Sequence, residues 1–204
     1  MMAYLVLIRH GESEWNAKGL WTGLTDIGLS EKGRIEARKA GEEIKDIHFQ
    51  VAFTSVLIRA KQTLEEIEHA LEEKIPTIEN AALNERDYGE YTGKNKWEVK
   101  KQLGDEEFLK LRRSWDYPVP HGESLKDVYI RAVPYYQEHI LPELKQGKNV
   151  LVFAHGNSLR ALVKFLDNIP DNKIAELEIP TGQVLVYSFN QDGKIISKEI
   201  RGAV

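Results

Sequence analysis

Two short apolar runs, each followed at once by a histidine and a glycine, constrain the fold of this chain most strongly. Residues 4–8 lead into Arg9-His10-Gly11, and residues 150–154 lead into His155-Gly156. Continuous aliphatic runs of this length are typical of strands that are buried on both faces of a parallel sheet. Ligands of such sheets bind beyond the carboxyl ends of the strands. We therefore expect both histidines at one edge of one sheet, facing a common cleft.

Strand patterns alternate with helix patterns through most of the chain. The helix that is predicted to follow Ser30 has an apolar stripe that includes Ile35. This alternation predicts a three-layer α/β/α sandwich whose central sheet is mostly parallel and has an antiparallel edge strand. Strands are expected at residues 51–54 and 77–79 and as a closing hairpin at 184–198, and further helices from about residue 56 and at 94–103, 105–114, 125–141 (interrupted by Pro134) and 159–166.

The length of 204 residues fits one domain, and we expect residues 1–204 to form it. Within it, residues from about 84 to 123 are expected to make a lid of helices and loops over the site. This segment carries Arg112 and Arg113 beside a tryptophan and a proline-rich loop. A solvated charged face is the alternative interpretation of its basic residues, and the acidic residues 105–107 favour it.

Composition and charge exclude several classes of protein. The formal net charge of −4 argues against a general binder of nucleic acid or of membrane surfaces. The chain has no cysteine, which excludes disulfides, thiolate metal sites and a cysteine nucleophile. The first apolar run is too short for a signal peptide, and no stretch approaches the roughly 20 apolar residues of a membrane span. We expect a cytoplasmic protein, as a monomer or homodimer, with no nucleic-acid or membrane partner.

Arginines close to the two histidines predict an anion site. Arg9 precedes His10, and Arg59 lies at the start of a predicted helix, from which it can reach back over the sheet edge. A surface arginine paired with Glu65 or Glu66 is the alternative for Arg59. The planar guanidinium suits tetrahedral oxyanions, so phosphate is the expected ligand. Metal binding is the competing use of two histidines, but two arginines would repel a dication, and we expect no metal.

Phosphoryl chemistry without a metal needs a nucleophile and a proton donor. A neutral histidine is a competent nucleophile near pH 7, and its phosphorylated form can pass the group on. A carboxyl group beside a phosphate can hold the proton that the leaving oxygen needs. Glu85, in a polar loop with Gly89 close behind, is the first candidate for this donor, and Glu12 is the second. Residues 19–26 form either a solvated loop or a lip of hydrogen-bond donors facing the strand ends.

These residues resemble the histidine phosphatase superfamily, which carries an Arg-His-Gly motif like residues 9–11 and a later His-Gly like residues 155–156. The resemblance covers nearly the entire chain and is closest to the cofactor-dependent phosphoglycerate mutases, through residues 84–89, 93–96 and 155–160. Three features depart from that family. Asp87 stands where histidine is common, the stretch from Arg113 to Gly122 is short, and the chain ends at Val204 without a long C-terminal tail. Short members of the family share the last two features.

The resemblance implies interconversion of 3-phosphoglycerate and 2-phosphoglycerate through a phosphohistidine, with 2,3-bisphosphoglycerate as the priming donor. His10 would be the nucleophile and Glu85 the proton donor and acceptor. Arg9, Arg59 and His155 would hold the transferring group, helped by Asn16 and the backbone at Asn157. The residues implied to bind the phosphorylated glycerate are Ser13, Thr22, Gly23, Tyr88, Lys96, Arg112 and Arg113.

Two other functions remain open at this point. One is a histidine phosphatase that hydrolyses small phosphate monoesters with the same His10 and Glu85 and with water as acceptor. The other is a binding module that has kept the fold without catalysis. Lys96, Arg112 and Arg113 favour the mutase, because a phosphatase does not need a second set of anion-binding residues, whereas a mutase must hold a bisphosphorylated intermediate.

Overall fold

A computed structural model describes residues 2–202, and six strands within them form one sheet. The spatial order is β3-β2-β4-β1-β5-β6, in which β1 to β4 are mutually parallel and β5 runs antiparallel to both β1 and β6. The mostly parallel sheet with an antiparallel hairpin at one edge is the predicted one. The strands are β1 (Ala3–Arg9), β2 (Val51–Thr54), β3 (Thr77–Glu79), β4 (Val150–Ala154), β5 (Val184–Phe189) and β6 (Ile195–Arg201).

Helices cover both faces of the sheet and complete the three layers. On one face α2 and α3 bury Ala40 and Leu64 against Ile8 and Phe153. On the other face α5, α6 and α7 pack over Leu7 and its neighbours. The helices are α1 (Glu14–Ala17), α2 (Glu31–Glu42), α3 (Ile58–Leu71), α4 (Lys96–Arg113), α5 (Leu125–Tyr135), α6 (Leu141–Lys145) and α7 (Gly156–Leu166), with single 3₁₀ turns at Ala81–Leu83, Gly89–Tyr91 and Ile174–Glu176.

Two helix predictions need adjustment, and a third is confirmed. Ile35 does not belong to the apolar stripe of α2 and is 46% exposed, because at 100° per residue it lies about 200° around the helix from buried Ala37. The helix predicted at 125–141 is divided into α5 and α6 by a wider turn at Tyr136–Ile140, which follows Pro134. The break predicted between the helices at 94–103 and 105–114 is confirmed, because Gly104 within α4 has a non-helical backbone at φ 79°. Within residues 2–202, no helix has the length and apolarity needed to cross a bilayer.

The first turn of α2 lies directly against the loop that follows β1. A Cβ atom on Gly11 would lie 2.1 Å from the carbonyl oxygen of Gly33, and one on Gly33 would lie 2.0 Å from that of Glu12. Ser30, the N-cap of α2, donates its backbone N–H to the same Glu12 carbonyl at 2.9 Å. This contact between two backbones fixes the loop that begins with His10.

We expect Gly33→Ala to lower the free energy of unfolding by about 1–3 kcal/mol, because its methyl group overlaps backbone atoms that cannot move aside. The sign is informative, since alanine ordinarily stabilises a helix relative to glycine by about 1 kcal/mol. Urea unfolding followed by circular dichroism measures the change. Lys39→Ala on the exposed face of α2 is the control and should stay within about 0.5 kcal/mol of the unaltered protein. A Gly33→Ala variant as stable as the unaltered protein would contradict the close approach.

Candidate active site

The pairing of β1 with β4 brings the two histidines together. Arg9 is in register with Ala154, and the next residue, His10, donates its backbone N–H to the Ala154 carbonyl at 3.1 Å. The rings of His10 and His155 are consequently neighbours, with centroids 4.9 Å apart, and both are buried. The two strand–histidine–glycine segments therefore meet at one sheet edge.

His10 has the tautomer of a nucleophile. Its Nδ1 lies 2.6 Å from the carbonyl oxygen of Gly11, which can only accept, so Nδ1 carries the proton and Nε2 keeps its lone pair. Burial, together with the positive charges of Arg59 and Arg9, holds the pKa of His10 well below its ordinary value. The ring is therefore neutral at pH 7 and able to attack through Nε2.

His155 is held in the same neutral state by a different partner. Its Nε2 lies 2.6 Å from the hydroxyl oxygen of Ser55, at the end of β2. Burial and the nearby charge of Arg59 keep the pKa of His155 well below the ordinary value, with smaller contributions from His10 and Arg9. Because Ser55 also accepts the N–H of Leu57 at 3.2 Å, the loop after β2 orients this imidazole.

The two arginines are positioned by backbone carbonyls and retain unused donors. Arg59 is 1% exposed and donates to the carbonyls of Thr25 at 3.0 Å and Gly23 at 2.8 Å, while Arg9 donates to Ile179 at 2.5 Å. Each also has a buried Nε with no partner among residues 2–202. Buried unpartnered donors are rare, and here they suit a bound anion.

Arg59 does not form the alternative ion pair with Glu66. Glu66 accepts from Arg34 at 2.8 Å and from Arg38 at 2.7 Å on the outer side of α2 and α3. Within residues 2–202, no group of three or more histidine, aspartate or glutamate side chains is arranged to hold a metal ion.

A cavity of about 100 Å³ opens beside these groups at the carboxyl ends of the strands. Eleven of the fourteen predicted site residues line it. They are Arg9, His10, Asn16, Thr22, Arg59, Glu85, Tyr88, Lys96, Arg112, Arg113 and Asn157. A twelfth, His155, lies directly behind His10.

Glu85 lies in this cavity, whereas Glu12 does not. One oxygen of Glu85, Oε1, accepts from the backbone N–H of Arg86 at 2.8 Å and from both the backbone and the side-chain nitrogen of Asn157 at 3.1 Å. The other oxygen, Oε2, has no hydrogen bond to any described residue. Glu12 instead accepts from Ser30 at 2.9 Å and Lys32 at 3.2 Å, beside α2. Of the two predicted proton donors, only Glu85 can reach a ligand.

A second cationic group lines the cavity from the side of α4. Burial lowers the pKa of Lys96 to about 8, helped by repulsion from Arg112 and Arg9. Burial and the charge of Arg113 lower the pKa of Arg112 as well. Arg113 is partly neutralised by Glu178, whose carboxylate lies 2.5 Å from it. These three cations face the cavity, whereas Lys100 on the same helix pairs outward with an aspartate, as a solvated face would.

Two predicted residues support the site without lining it. Ser13 is buried and its hydroxyl accepts the backbone N–H of Asn16 at 3.1 Å, which caps α1. Gly23 contributes the carbonyl that holds Arg59. Ligand binding by these two positions stays a prediction, because the Ser13 hydroxyl accepts in the cap and keeps its own proton to donate, and Gly23 could bind through its backbone N–H.

Sequence reasoning missed several residues that line the cavity, namely Trp21, Gly156, Arg160, Glu178 and Ile179. A signal existed for Arg160, which lies three residues after Asn157 on α7 and donates to its side chain at 3.0 Å. Trp21 lies against Tyr88 with ring centroids 4.5 Å apart. No local pattern marks Glu178 and Ile179, because they lie in an irregular segment between a 3₁₀ turn and β5.

The chain belongs to the histidine phosphatase superfamily (branch 1), whose family model matches residues 5–199. It is 50% identical over 197 residues to the 2,3-bisphosphoglycerate-dependent phosphoglycerate mutase of Bradyrhizobium diazoefficiens, covering 95% of each chain. It is also 50% identical over 203 residues to the enzyme of the same name from Chelativorans sp., covering 98% of each chain.

Solved structures share this fold. The Bacillus stearothermophilus protein YhfR superposes with a TM-score of 0.84 at 26% identity, covering 99% of this chain and 98% of its own. A mycobacterial glucosyl-3-phosphoglycerate phosphatase complexed with VO3 superposes with a TM-score of 0.81 at 23% identity, covering 98% of each chain. The second likeness concerns the fold alone.

The two buried neutral histidines should make stability depend on pH. An unfolded histidine binds a proton near pH 6.5, whereas His10 and His155 resist protonation in the fold. The unfolded state therefore binds more protons below pH 6.5, and stability is lost as the pH falls. Between pH 7 and pH 5 we expect each histidine to contribute a loss of about 2 kcal/mol.

Urea unfolding at pH 7, 6 and 5 measures this dependence. Replacing His10 or His155 by Gln should each remove about half of the loss, while the exposed His69→Gln serves as control and should leave it unchanged. Carboxylates with a lowered pKa, such as those of Asp46 and Glu66, act only at more acidic pH. A stability that is flat from pH 7 to 5 would contradict buried neutral rings.

Proposed function

We propose that the protein is a 2,3-bisphosphoglycerate-dependent phosphoglycerate mutase that interconverts 3-phosphoglycerate and 2-phosphoglycerate through a phosphohistidine. The observation that carries this proposal is the joining of two cationic groups in one cavity. The first group surrounds His10, and the second consists of Lys96, Arg112 and Arg113. Relatives of that name, about 50% identical over nearly the whole chain, support the same function. Hydrolysis of a monoester would need only the first group.

His10 is the proposed nucleophile. Its Nε2 forms a bond to phosphorus while the bond from phosphorus to the substrate oxygen breaks, and the electron pair leaves with that oxygen. Arg9, Arg59 and His155 surround the transferring group and stabilise the charge on its oxygens, which is the main requirement of phosphoryl transfer. The carboxyl group of Glu85 gives the leaving oxygen its proton. In the return step the carboxylate takes the proton from the attacking hydroxyl.

The donors of the cavity fit a bisphosphorylated glycerate. Such a ligand presents two phosphates and a carboxylate, and the unpartnered Nε atoms of Arg9 and Arg59 together with the hydroxyl of Thr22 offer free donors on one side. Lys96 and Arg112 offer charge on the other side. When bound, 2,3-bisphosphoglycerate supplies the phosphoryl group that primes His10. The reaction proposed here uses no metal.

Residues 84–123 act in this proposal as a lid within one domain that spans residues 1–204. Its residues Val99, Phe108 and Leu111 form a small apolar core together with Trp21, which lies outside the lid. Arg160 of α7 fastens the end of α4 within the lid by donating to the carbonyl of Arg113 at 2.7 Å. A fastened lid would keep water from the phosphorylated histidine while the glycerate reorients. Cytoplasmic location and a monomeric or homodimeric state stay predictions from the sequence.

The proposal is tested by supplying 3-phosphoglycerate with and without catalytic 2,3-bisphosphoglycerate and measuring 2-phosphoglycerate and free phosphate together. We expect 2-phosphoglycerate to form and to depend on the bisphosphate. His10→Ala should abolish both this activity and the labelling of the protein by radioactive bisphosphate, because no other group can accept the phosphoryl. His48→Ala, an exposed histidine, is the control. Release of free phosphate without 2-phosphoglycerate would overturn the mutase in favour of a phosphatase.

The lowered pKa of Lys96 predicts an alkaline limit on substrate binding. Lys96 loses its charge above about pH 8, so KM for 3-phosphoglycerate should rise there by about tenfold, the value of one charge-assisted hydrogen bond. Lys96→Arg keeps the charge and should remove the rise. Lys94→Arg, outside the cavity, should keep it. Steady-state kinetics from pH 7 to 9.5 measure the effect, and an unchanged rise in Lys96→Arg would assign it to another group.

A further inference from the structure

Arg131 of α5 uses every one of its N–H groups, three on backbone carbonyls of the segment that carries Glu85 and two on the carboxylate of Glu123. A guanidinium has five such donors. Nε donates to Oε1 of Glu123 at 2.8 Å, and Nη1 donates to the carbonyls of Ala82 at 2.8 Å and Asn84 at 3.1 Å. Nη2 donates to the carbonyl of Glu85 itself at 3.0 Å and to Oε2 of Glu123 at 2.9 Å.

Glu123 adds hydrogen bonds to the residues that follow Glu85 in the chain. Its Oε2 also accepts the backbone N–H of Asp87 at 3.0 Å, and its own backbone N–H donates to the Asp87 carbonyl at 2.9 Å. The pair of Arg131 and Glu123 therefore holds the chain from residue 82 to residue 87. Side-chain hydrogen bonds take the place of regular secondary structure in residues 84–87, which follow the 3₁₀ turn at Ala81–Leu83.

Arg131 differs in this respect from the arginines of the cavity. Arg9 and Arg59 each have a buried donor that has no partner among the described residues and is available to bind an anion. Arg131 has no donor left and does not line the cavity. It therefore cannot serve the substrate directly, and its contacts point to an effect through Glu85.

Glu85 is held from two directions that have separate origins. Asn157 of α7 fixes the carboxyl group by binding Oε1 with its backbone and side-chain nitrogens. Arg131 of α5 fixes the backbone from which that carboxyl group extends. Without the second contact the main chain at residue 85 could shift, and Oε2 would lose its alignment with the leaving oxygen even though Asn157 remained.

We propose that Arg131, supported by Glu123, is a positioning residue that sets the place of the Glu85 carboxyl group for proton transfer. The inference rests on the proposed role of Glu85 as proton donor. Its chemical signature is a dependence on the leaving group. A poor leaving group such as an alkoxide needs the proton from Glu85 as its bond to phosphorus breaks, whereas 4-nitrophenolate leaves without one. Loss of Arg131 should therefore slow phosphoryl transfer from an alkoxide leaving group and leave transfer from 4-nitrophenolate nearly unchanged.

The experiment compares Arg131→Met and the milder Arg131→Lys with the unaltered protein. Turnover of 3-phosphoglycerate with 2,3-bisphosphoglycerate should fall in kcat by about 10- to 100-fold in Arg131→Met, a cost in the range for a displaced catalytic group, with KM changed less than about twofold. Arg131→Lys and Glu123→Gln should lie between. The second assay uses 4-nitrophenyl phosphate, which releases 4-nitrophenolate as it phosphorylates His10. The rate of this burst should change less than about threefold in all three variants.

Two controls separate positioning from damage to the fold. Arg201→Met removes a comparably buried arginine that binds Asp46 and a backbone carbonyl far from the cavity, and it should alter neither rate. In a Glu85→Gln background, Arg131→Met should add less than about a twofold loss, because an effect that passes through Glu85 has already been removed. Losses that multiply in the double variant, or equal losses for both leaving groups, would overturn the positioning role.

Failure of the proposed function would look different. If the unaltered protein makes no 2-phosphoglycerate but gives the 4-nitrophenolate burst, the mutase is wrong. Arg131 is then tested on the hydrolysis of glycerol phosphate, where the same split between leaving groups would uphold its role. If the unaltered protein gives no burst and no labelled His10, both proposals fall.

Discussion

The parallel pairing of β1 with β4 is the constraint on which the whole site depends. Because Arg9 lies opposite Ala154, the residues that follow the two strands leave the sheet at the same level, and the ladder continues for one more bond from the His10 N–H. A slip of one residue would turn one imidazole to the other face of the sheet. The apolar residues of the two strands bury this pairing between both helical layers, so the most protected part of the core also sets the geometry of the reactive groups.

This geometry concentrates positive charge around the cavity, and the residues there limit its repulsion in three ways. The two histidines stay neutral because burial and the neighbouring guanidiniums oppose a further proton. Lys96 is charged at pH 7 with little margin, since its pKa is about 8. At the rim, Glu178 compensates Arg113. A polyanionic ligand relieves the repulsion among these cations. The same groups that lower the stability of the ligand-free protein therefore supply the binding energy. The net charge of −4 gave no indication of such a local field.

The sequence was most informative where the pattern is local. Continuous apolar runs identified β1 and β4, and the rule that ligands bind at strand ends brought His10 and His155 to one edge. The sequence was less informative about the orientation of side chains. The sequence did not predict that the Ser13 hydroxyl caps α1, and the choice between Glu12 and Glu85 needed the packing of α2. Glu178 had no local signal because only the tertiary fold brings its irregular segment to Arg113.

The proton transfer proposed for Glu85 requires one free carboxyl oxygen and a fixed main chain, and separate contacts meet these two requirements. The amide donors of Asn157 bind Oε1 of Glu85 and leave Oε2 without a hydrogen bond to a described residue, while Arg131 fixes the main chain behind it. These two contacts come from α7 and α5, which bury Leu125, Val128 and Ala161 in a common cluster. Moving the carboxyl group would therefore require two packed helices to shift together. The placement of a loop residue acquires in this way the rigidity of the core, which backbone hydrogen bonds within the loop alone could not give it.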